Sequence, residues 1–135
     1  MEMNALINQL RNEHAVLVES LGSVQNVGVG SAESKQMLLK AKSALLAHLG
    51  KEDKELYPVL KKAGMTDQNI QRKLDSFGKD MNEITGFVLK FFENIENDKY
   101  SQLEFARDFG KMVSLLSGRI SREENILYPL YEACL

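Results

Sequence analysis

The chain has only one cysteine, Cys134, among its 135 residues. A lone thiol cannot form an internal disulfide, and it fits a reducing compartment. No apolar run approaches the roughly 20 residues that span a bilayer, so we expect no membrane partner. The first ten residues carry an early acid and no continuous hydrophobic block, which is not the pattern of a signal peptide. We therefore predict a cytoplasmic protein.

An excess of positive charge is also missing. Seventeen lysines and arginines face nineteen acids, for a net charge of −2, so we expect no nucleic-acid partner. The chain contains no Gly-x-Ser-x-Gly and no Glu-x-x-His motif. These absences argue against a nucleophilic hydrolase and against a ferritin-type oxidase. We expect that the protein is not an enzyme.

What the sequence does contain is a helical period. Apolar residues recur at spacings of three and four along nearly the whole chain, which is typical of amphipathic helices. No strand alternation competes with this pattern. Four such segments with short connections predict an all-α fold, an up-down-up-down four-helix bundle that forms a single domain over residues 1–135.

Glycine, proline and N-cap residues predict where the helices begin and end. The first helix should end near the glycine-rich stretch 22–31, and the second should run from the Ser31 cap to Gly64, where glycine suits a left-handed turn. Thr66 or Asp67 should cap the third helix. Ser101 with Glu104 forms a capping box for the fourth. Each proline should kink or stop its helix, because it lacks a backbone donor; the two are Pro58 and Pro129.

The apolar faces of these helices are predicted from their spacing. We expect the following residues in the core: Met3, Ile7, Leu10, Leu17 and Leu21; Leu38, Ala41, Leu45, Leu56 and Val59; Ile70, Leu74, Phe77, Met81, Ile84, Val88, Phe91 and Ile95; Phe105, Phe109, Met112, Leu116, Ile126 and Leu130. Tyr57 and Tyr128 are expected to pack near the bundle end.

Five ionisable residues interrupt these apolar faces in phase with the period: His14, His48, Glu52, Arg119 and Glu123. A buried charge costs several kcal/mol unless it is paired or bound to a metal. His48 and Glu52 are four residues apart and share one helix face. Imidazole and carboxylate are ligands for first-row transition metals, so this arrangement predicts a metal site between helices, or else a buried ionic network.

An internal repeat supports a two-fold site. Residues 48–58 align with residues 119–129, so that Glu52 matches Glu123 and the Leu-Tyr-Pro triplets are identical. Within this repeat, His48 corresponds to Arg119. The preceding helices align as well, "LRNEHAVL" with "FGKDMNEI", and place His14 opposite Met81.

These motifs resemble those of bacterial hemerythrin-like proteins of the HHE cation-binding type. The resemblance covers nearly the whole chain and depends on "LRNEH", "AHLGKEDKELYPVL" and "ISREENILYPLYE". It implies a four-helix bundle that holds a non-haem di-iron centre and binds or senses oxygen, or responds to redox state. His14, His48, Glu52 and Glu123 match the family's ligand positions.

Two family ligand positions differ in this chain, because Met81 and Arg119 replace histidines. A thioether is a poor ligand for ferric iron, and a guanidinium cannot bind a metal. One interpretation is therefore a degenerate site that holds one or two non-haem iron ions, with the metal or dioxygen as partner. The alternative is a metal-free structural or protein-binding module. In it Arg119 replaces the metal charge between Glu52 and Glu123, and one protonated histidine balances the remaining negative charge.

Overall fold

The structure is a computed structural model that describes residues 5–28 and 31–135. Its helices are α1 (Ala5–Val27), α2 (Ala32–Lys51), α3 (Tyr57–Gly64), α4 (Gln68–Glu96), α5 (Gln102–Arg122) and α6 (Tyr128–Ala133). A first π turn (Glu52–Leu56) joins α2 to α3, and a second (Glu123–Leu127) joins α5 to α6. Each π turn continues the helix, so α2 with α3, and α5 with α6, form single rod-like segments. These two rods, together with α1 and α4, make the four rods of the predicted all-α bundle.

The rods close around one apolar interior. α1 packs against α2 and α5, whereas α4 packs against α3 and α5. The apolar faces predicted from the period supply most of the interior, and the large side chains of Leu10, Leu38, Leu56 and Met112 are fully buried. Within the described ranges, no helix is both long enough and apolar enough to cross a membrane.

Side-chain caps begin three of the helices where the sequence predicts them. Ser31 accepts a hydrogen bond from the Ser34 amide at 3.1 Å, and Asp67 accepts one from the Asn69 amide at 2.9 Å. Ser101 and Glu104 form the predicted capping box at the start of α5. Each cap satisfies an amide that the first helical turn cannot pair.

The first helix is longer than the glycine-rich stretch suggests. α1 continues to Val27 because Val24 extends the apolar face that Leu17 and Leu21 begin, and Val24 is fully buried. The turn comes at Gly28, whose φ of +109° suits a residue without a Cβ atom. Met3, another predicted core residue, lies outside the described residues.

The expectation of a left-handed turn at Gly64 is wrong. Gly64 is helical and buried, and Gly28 is the only glycine with positive φ in the described part of the chain. A Cβ atom at Gly64 would lie 2.6 Å from Oε1 of Gln71, at the end of a flexible side chain, and 3.5 Å from the Gln71 Cα atom. Gly64 therefore lies against the first turn of α4.

The prolines do not stop their helices, because a π turn precedes each one. Tyr57 N–H bonds to the Glu52 carbonyl, and Tyr128 N–H bonds to the Glu123 carbonyl, so the helix widens by one residue before the proline removes a donor. The extra residue shifts the phase of the apolar face. Ile126, predicted in the core, is consequently 47% exposed, whereas Leu127 is 1% exposed.

Candidate metal centre

The bundle interior brings the five predicted ionisable residues together. His14 lies on α1, His48 near the end of α2 and Arg119 near the end of α5, while Glu52 and Glu123 begin the two π turns. Their exposed fractions are 6% or less. The internal repeat is therefore structural as well as sequential, because each half supplies a π turn that begins with a buried glutamate.

Three of these side chains aim ligand atoms at one point. His14 Nε2 lies 3.0 Å from His48 Nε2 and 2.8 Å from Glu123 Oε1. His48 Nε2 lies 3.7 Å from the same carboxylate oxygen. This triangle of two imidazole nitrogens and one carboxylate oxygen is fully buried.

A carboxylate holds the far nitrogen of each histidine. His14 Nδ1 lies 3.0 Å from Glu124 Oε2, and His48 Nδ1 lies 2.8 Å from Glu13 Oε1. Burial works to raise the pKa of Glu13, but the hydrogen bonds from Lys51 and His48 outweigh it and lower that pKa. Glu13 is thus an anion that accepts the Nδ1 proton. Carboxylates in this position orient metal-binding histidines and fix their tautomer.

In this tautomer, the Nε2 atoms of both histidines carry no proton at the centre of the triangle. With protons on both Nδ1 atoms, the two Nε2 lone pairs and the Glu123 carboxylate face one another across 2.8–3.7 Å. Such an arrangement is repulsive unless a proton or a metal ion lies among them. Two ligands at about 2.1 Å from one first-row ion lie roughly 3.0–3.4 Å apart in octahedral or tetrahedral geometry. The donor set therefore fits one cation.

The other half of the site does not fit a second cation. Arg119 donates from Nε to Glu123 Oε2 at 3.4 Å and from Nη1 to Thr85 Oγ1 at 2.9 Å. Its Nη2 lies 3.6 Å from Glu52 Oε1. A permanent cation therefore already lies between the two glutamates, and the buried thioether of Met81 replaces the other nitrogen ligand. The family's two-metal centre is not supported by these residues.

The two equivalent glutamates have opposite acidities. Burial, followed by the charge of Glu123, raises the pKa of Glu52 to about 10. Burial also works to raise the pKa of Glu123, but hydrogen bonding with His14 and His48, which needs a proton between these groups, and the charge of Arg119 hold it well below its usual range. Without a metal, the pair therefore shares one negative charge, which Arg119 balances. A protonated Glu52 is thus another route to the charge balance that the sequence analysis assigned to a histidine.

Tyr128 is a site residue that the sequence analysis missed. Its hydroxyl donates to Glu52 Oε2 at 3.0 Å and lies 3.1 Å from His14 Nε2. The sequence analysis expected only packing near the bundle end for Tyr128, whereas its fully buried ring stacks on His14 at the candidate metal centre. Glu13 and Glu124 were missed too. The sequence feature that could have revealed them is their position directly beside His14 and Glu123, two polar residues on the apolar faces.

The fold and the site define the class of this protein: a four-helix bundle with an interior histidine–carboxylate site for a cation. A family model, the hemerythrin HHE cation binding domain, matches residues 5–131. The chain belongs to this family. Searches of curated proteins and of solved structures gave no match.

Proposed function

We propose that this protein binds one non-haem iron ion per chain and serves in oxygen or redox sensing or binding rather than in catalytic turnover. His14, His48 and Glu123 would hold the ion. The observation that supports this proposal is the buried triangle of ligand atoms at 2.8–3.7 Å, with both histidines oriented by carboxylates from behind.

Glu52 supplies a fourth ligand in this proposal. Its Oε1 is buried without a hydrogen-bond partner among the described residues, and it lies 3.5 Å from His48 Nε2. An orphaned buried oxygen costs about 1–3 kcal/mol, and a bound cation would remove that penalty. The proton that Glu52 holds in the absence of metal would then be released.

The other residues control charge and access. Iron, when bound, supplies a centre that changes between ferrous and ferric states. Arg119 provides the positive charge that the family's second ion would provide, by pairing with the far oxygen of Glu123. The Tyr128 hydroxyl and the apolar shell limit the water that reaches the histidines.

Metal analysis of the whole chain tests this proposal. Protein loaded with ferrous iron under anaerobic conditions and then desalted should carry one iron per chain by mass spectrometry. His14→Ala should lose most of that iron, whereas the exposed Glu33→Gln should retain it. Iron bound equally well by His14→Ala would contradict the assignment of the ligands.

The metal-free module is the second candidate, and the Arg119 contacts favour it. In this reading a proton among His14, His48 and Glu123 takes the place of the ion, and the bundle acts as a structural or protein-binding domain. Wild-type protein with no bound iron and with an unfolding midpoint unchanged by ferrous iron would support this second function over the first.

The remaining expectations stay part of the proposal. They are a single domain over residues 1–135, a cytoplasmic location, the absence of enzymatic activity, and dioxygen as a partner without nucleic acid or membrane. The single thiol, the net charge of −2 and the apolar pattern support them.

A further inference from the structure

A cleft of about 370 Å³ leads from the surface between α3 and α4 to Arg119. Its walls carry the apolar side chains of Leu49, Leu74 and Met81. Gly78 opens one wall, because a Cβ atom at this position would meet nothing within 4 Å. The volume is in the range of small-molecule sites, and the ligand triangle of the metal centre does not use this cleft.

Arg119 and Tyr57 each bring to this cleft a hydrogen-bond donor without an acceptor among the described residues. Arg119 Nη2 makes no hydrogen bond to a described residue, and Glu52 Oε1 lies 3.6 Å from it. The hydroxyl of Tyr57, a half-buried residue, also makes no hydrogen bond to a described residue. Tyr57 and Arg119 line the same cleft, so both donors face one ligand space.

The charges around the cleft select the kind of ligand. Asp53, Asp75 and Lys61 line it, and Glu123 lies behind Arg119. Acids outnumber bases here whichever form Glu52 takes. A ligand carboxylate would therefore meet net repulsion, whereas an uncharged oxygen acceptor would not.

We propose that this cleft binds an uncharged small molecule with a carbonyl oxygen and an apolar, ring-sized body. The oxygen accepts hydrogen bonds from Arg119 Nη2 and the Tyr57 hydroxyl, and the body packs against Leu49, Leu74 and Met81. The proposal does not depend on iron, because the cleft is lined by Arg119 and by residues outside the ligand triangle of His14, His48 and Glu123.

Acetophenone is the probe, and methyl-labelled methionine read by NMR is the measurement. We expect a saturable shift of the Met81 methyl resonance, with a dissociation constant on the order of 1 mM for a ligand of this size. The resonance of Met112, a fully buried residue that does not line the cleft, should not move. The absence of a saturable Met81 shift would overturn the proposal.

Two analogues test the ligand class. Benzoate keeps the ring but adds a negative charge, and ethylbenzene removes the acceptor. Both should bind at least tenfold more weakly than acetophenone. Tighter binding of benzoate would contradict selection for an uncharged ligand, and equal binding of ethylbenzene would contradict the role of the oxygen.

Matched variants test the location. Gly78→Leu should fill the cleft and abolish the shift, whereas Gly110→Leu, at an exposed helical glycine with equal space, should leave it intact. Tyr57→Phe should weaken binding about five- to tenfold, because one hydrogen bond is lost. Undiminished acetophenone binding by both Gly78→Leu and Tyr57→Phe would place the site elsewhere and refute the proposal.

Discussion

The two glutamates of the internal repeat should respond oppositely to removal of their charge. Glu52→Gln and Glu123→Gln make the same chemical change at equivalent positions of the two π turns. The pKa of Glu52 is raised to about 10 by burial and by the charge of Glu123, so this side chain is already neutral at pH 7. Glu123 is ionised, because its pKa is held below its usual range by His14, His48 and Arg119 despite burial.

These protonation states set the expected change in the free energy of unfolding for each variant. Glutamine in place of a neutral Glu52 removes no charge from the folded state. Glu52→Gln should therefore change the free energy of unfolding by at most about 1 kcal/mol below pH 4.5, where the unfolded side chain is neutral too, within the range of one neutral hydrogen bond. Glu123→Gln leaves the Arg119 guanidinium buried without its main anion. Such a loss costs roughly 3–5 kcal/mol.

The pH dependence has a definite sign. The folded pKa of Glu52 lies above the ordinary value of 4.5, so the folded state holds this proton more tightly than the unfolded state. The contribution of Glu52 to stability is therefore fully present below about pH 4.5 and is lost as the pH rises toward 10. The slope is at most about 1.4 kcal/mol per pH unit, and Glu52→Gln should remove it.

Urea unfolding of chelator-treated protein, followed by circular dichroism at pH 5 and pH 7, provides the assay. With a urea m-value of roughly 1–3 kcal/mol/M, Glu123→Gln should lower the midpoint by about 1 M or more. Glu52→Gln should change the midpoint little at pH 5 and should raise it at pH 7, because this variant lacks the loss of stability that ionisation of Glu52 in the unfolded state causes. Equal losses for the two variants would show that both carboxylates are ionised and would refute this reasoning.

Two further variants test the fold. Met112→Ala removes a fully buried core side chain and should cost about 2–5 kcal/mol by urea unfolding, whereas Met65→Ala, at a residue that is 83% exposed, should cost little; a small loss at Met112 would contradict the packed core. Ser101→Ala breaks the capping box of α5 and should lower the free energy of unfolding by about 1 kcal/mol. Ser121→Ala is the control on the same helix, and an equal effect there would argue against a specific cap.

The helical period was enough to predict the bundle and the burial of the charged cluster. His14, Arg119 and Glu123 each lie in phase with apolar neighbours on their own helix, and a 3.6-residue period alone assigns them to the interior. The caps were predictable because Ser101 and Asp67 bond to amides within the same turn, which is local chemistry.

The parts that sequence reasoning missed depend on more than one helix or on a change of period. A π turn adds one residue to the helix. A prediction from regular spacing therefore placed Ile126 in the core and did not place Tyr128 at the candidate site. Glu13 on α1 holds His48 on α2, and no spacing along the chain links two such residues. Glu52 and Glu123 are equivalent in the sequence repeat. Their opposite pKa shifts arise from neighbours on other helices of the bundle, which the repeat does not reveal.

In the proposed function, the Arg119 guanidinium takes the place of a second metal ion. Iron stoichiometry of the double variant Met81→His with Arg119→His tests this most directly, beside wild type loaded in parallel. We expect one iron per wild-type chain and two per variant chain, since both nitrogens return and the competing cation is removed. Two irons in wild type, or no increase in a folded double variant, would contradict it.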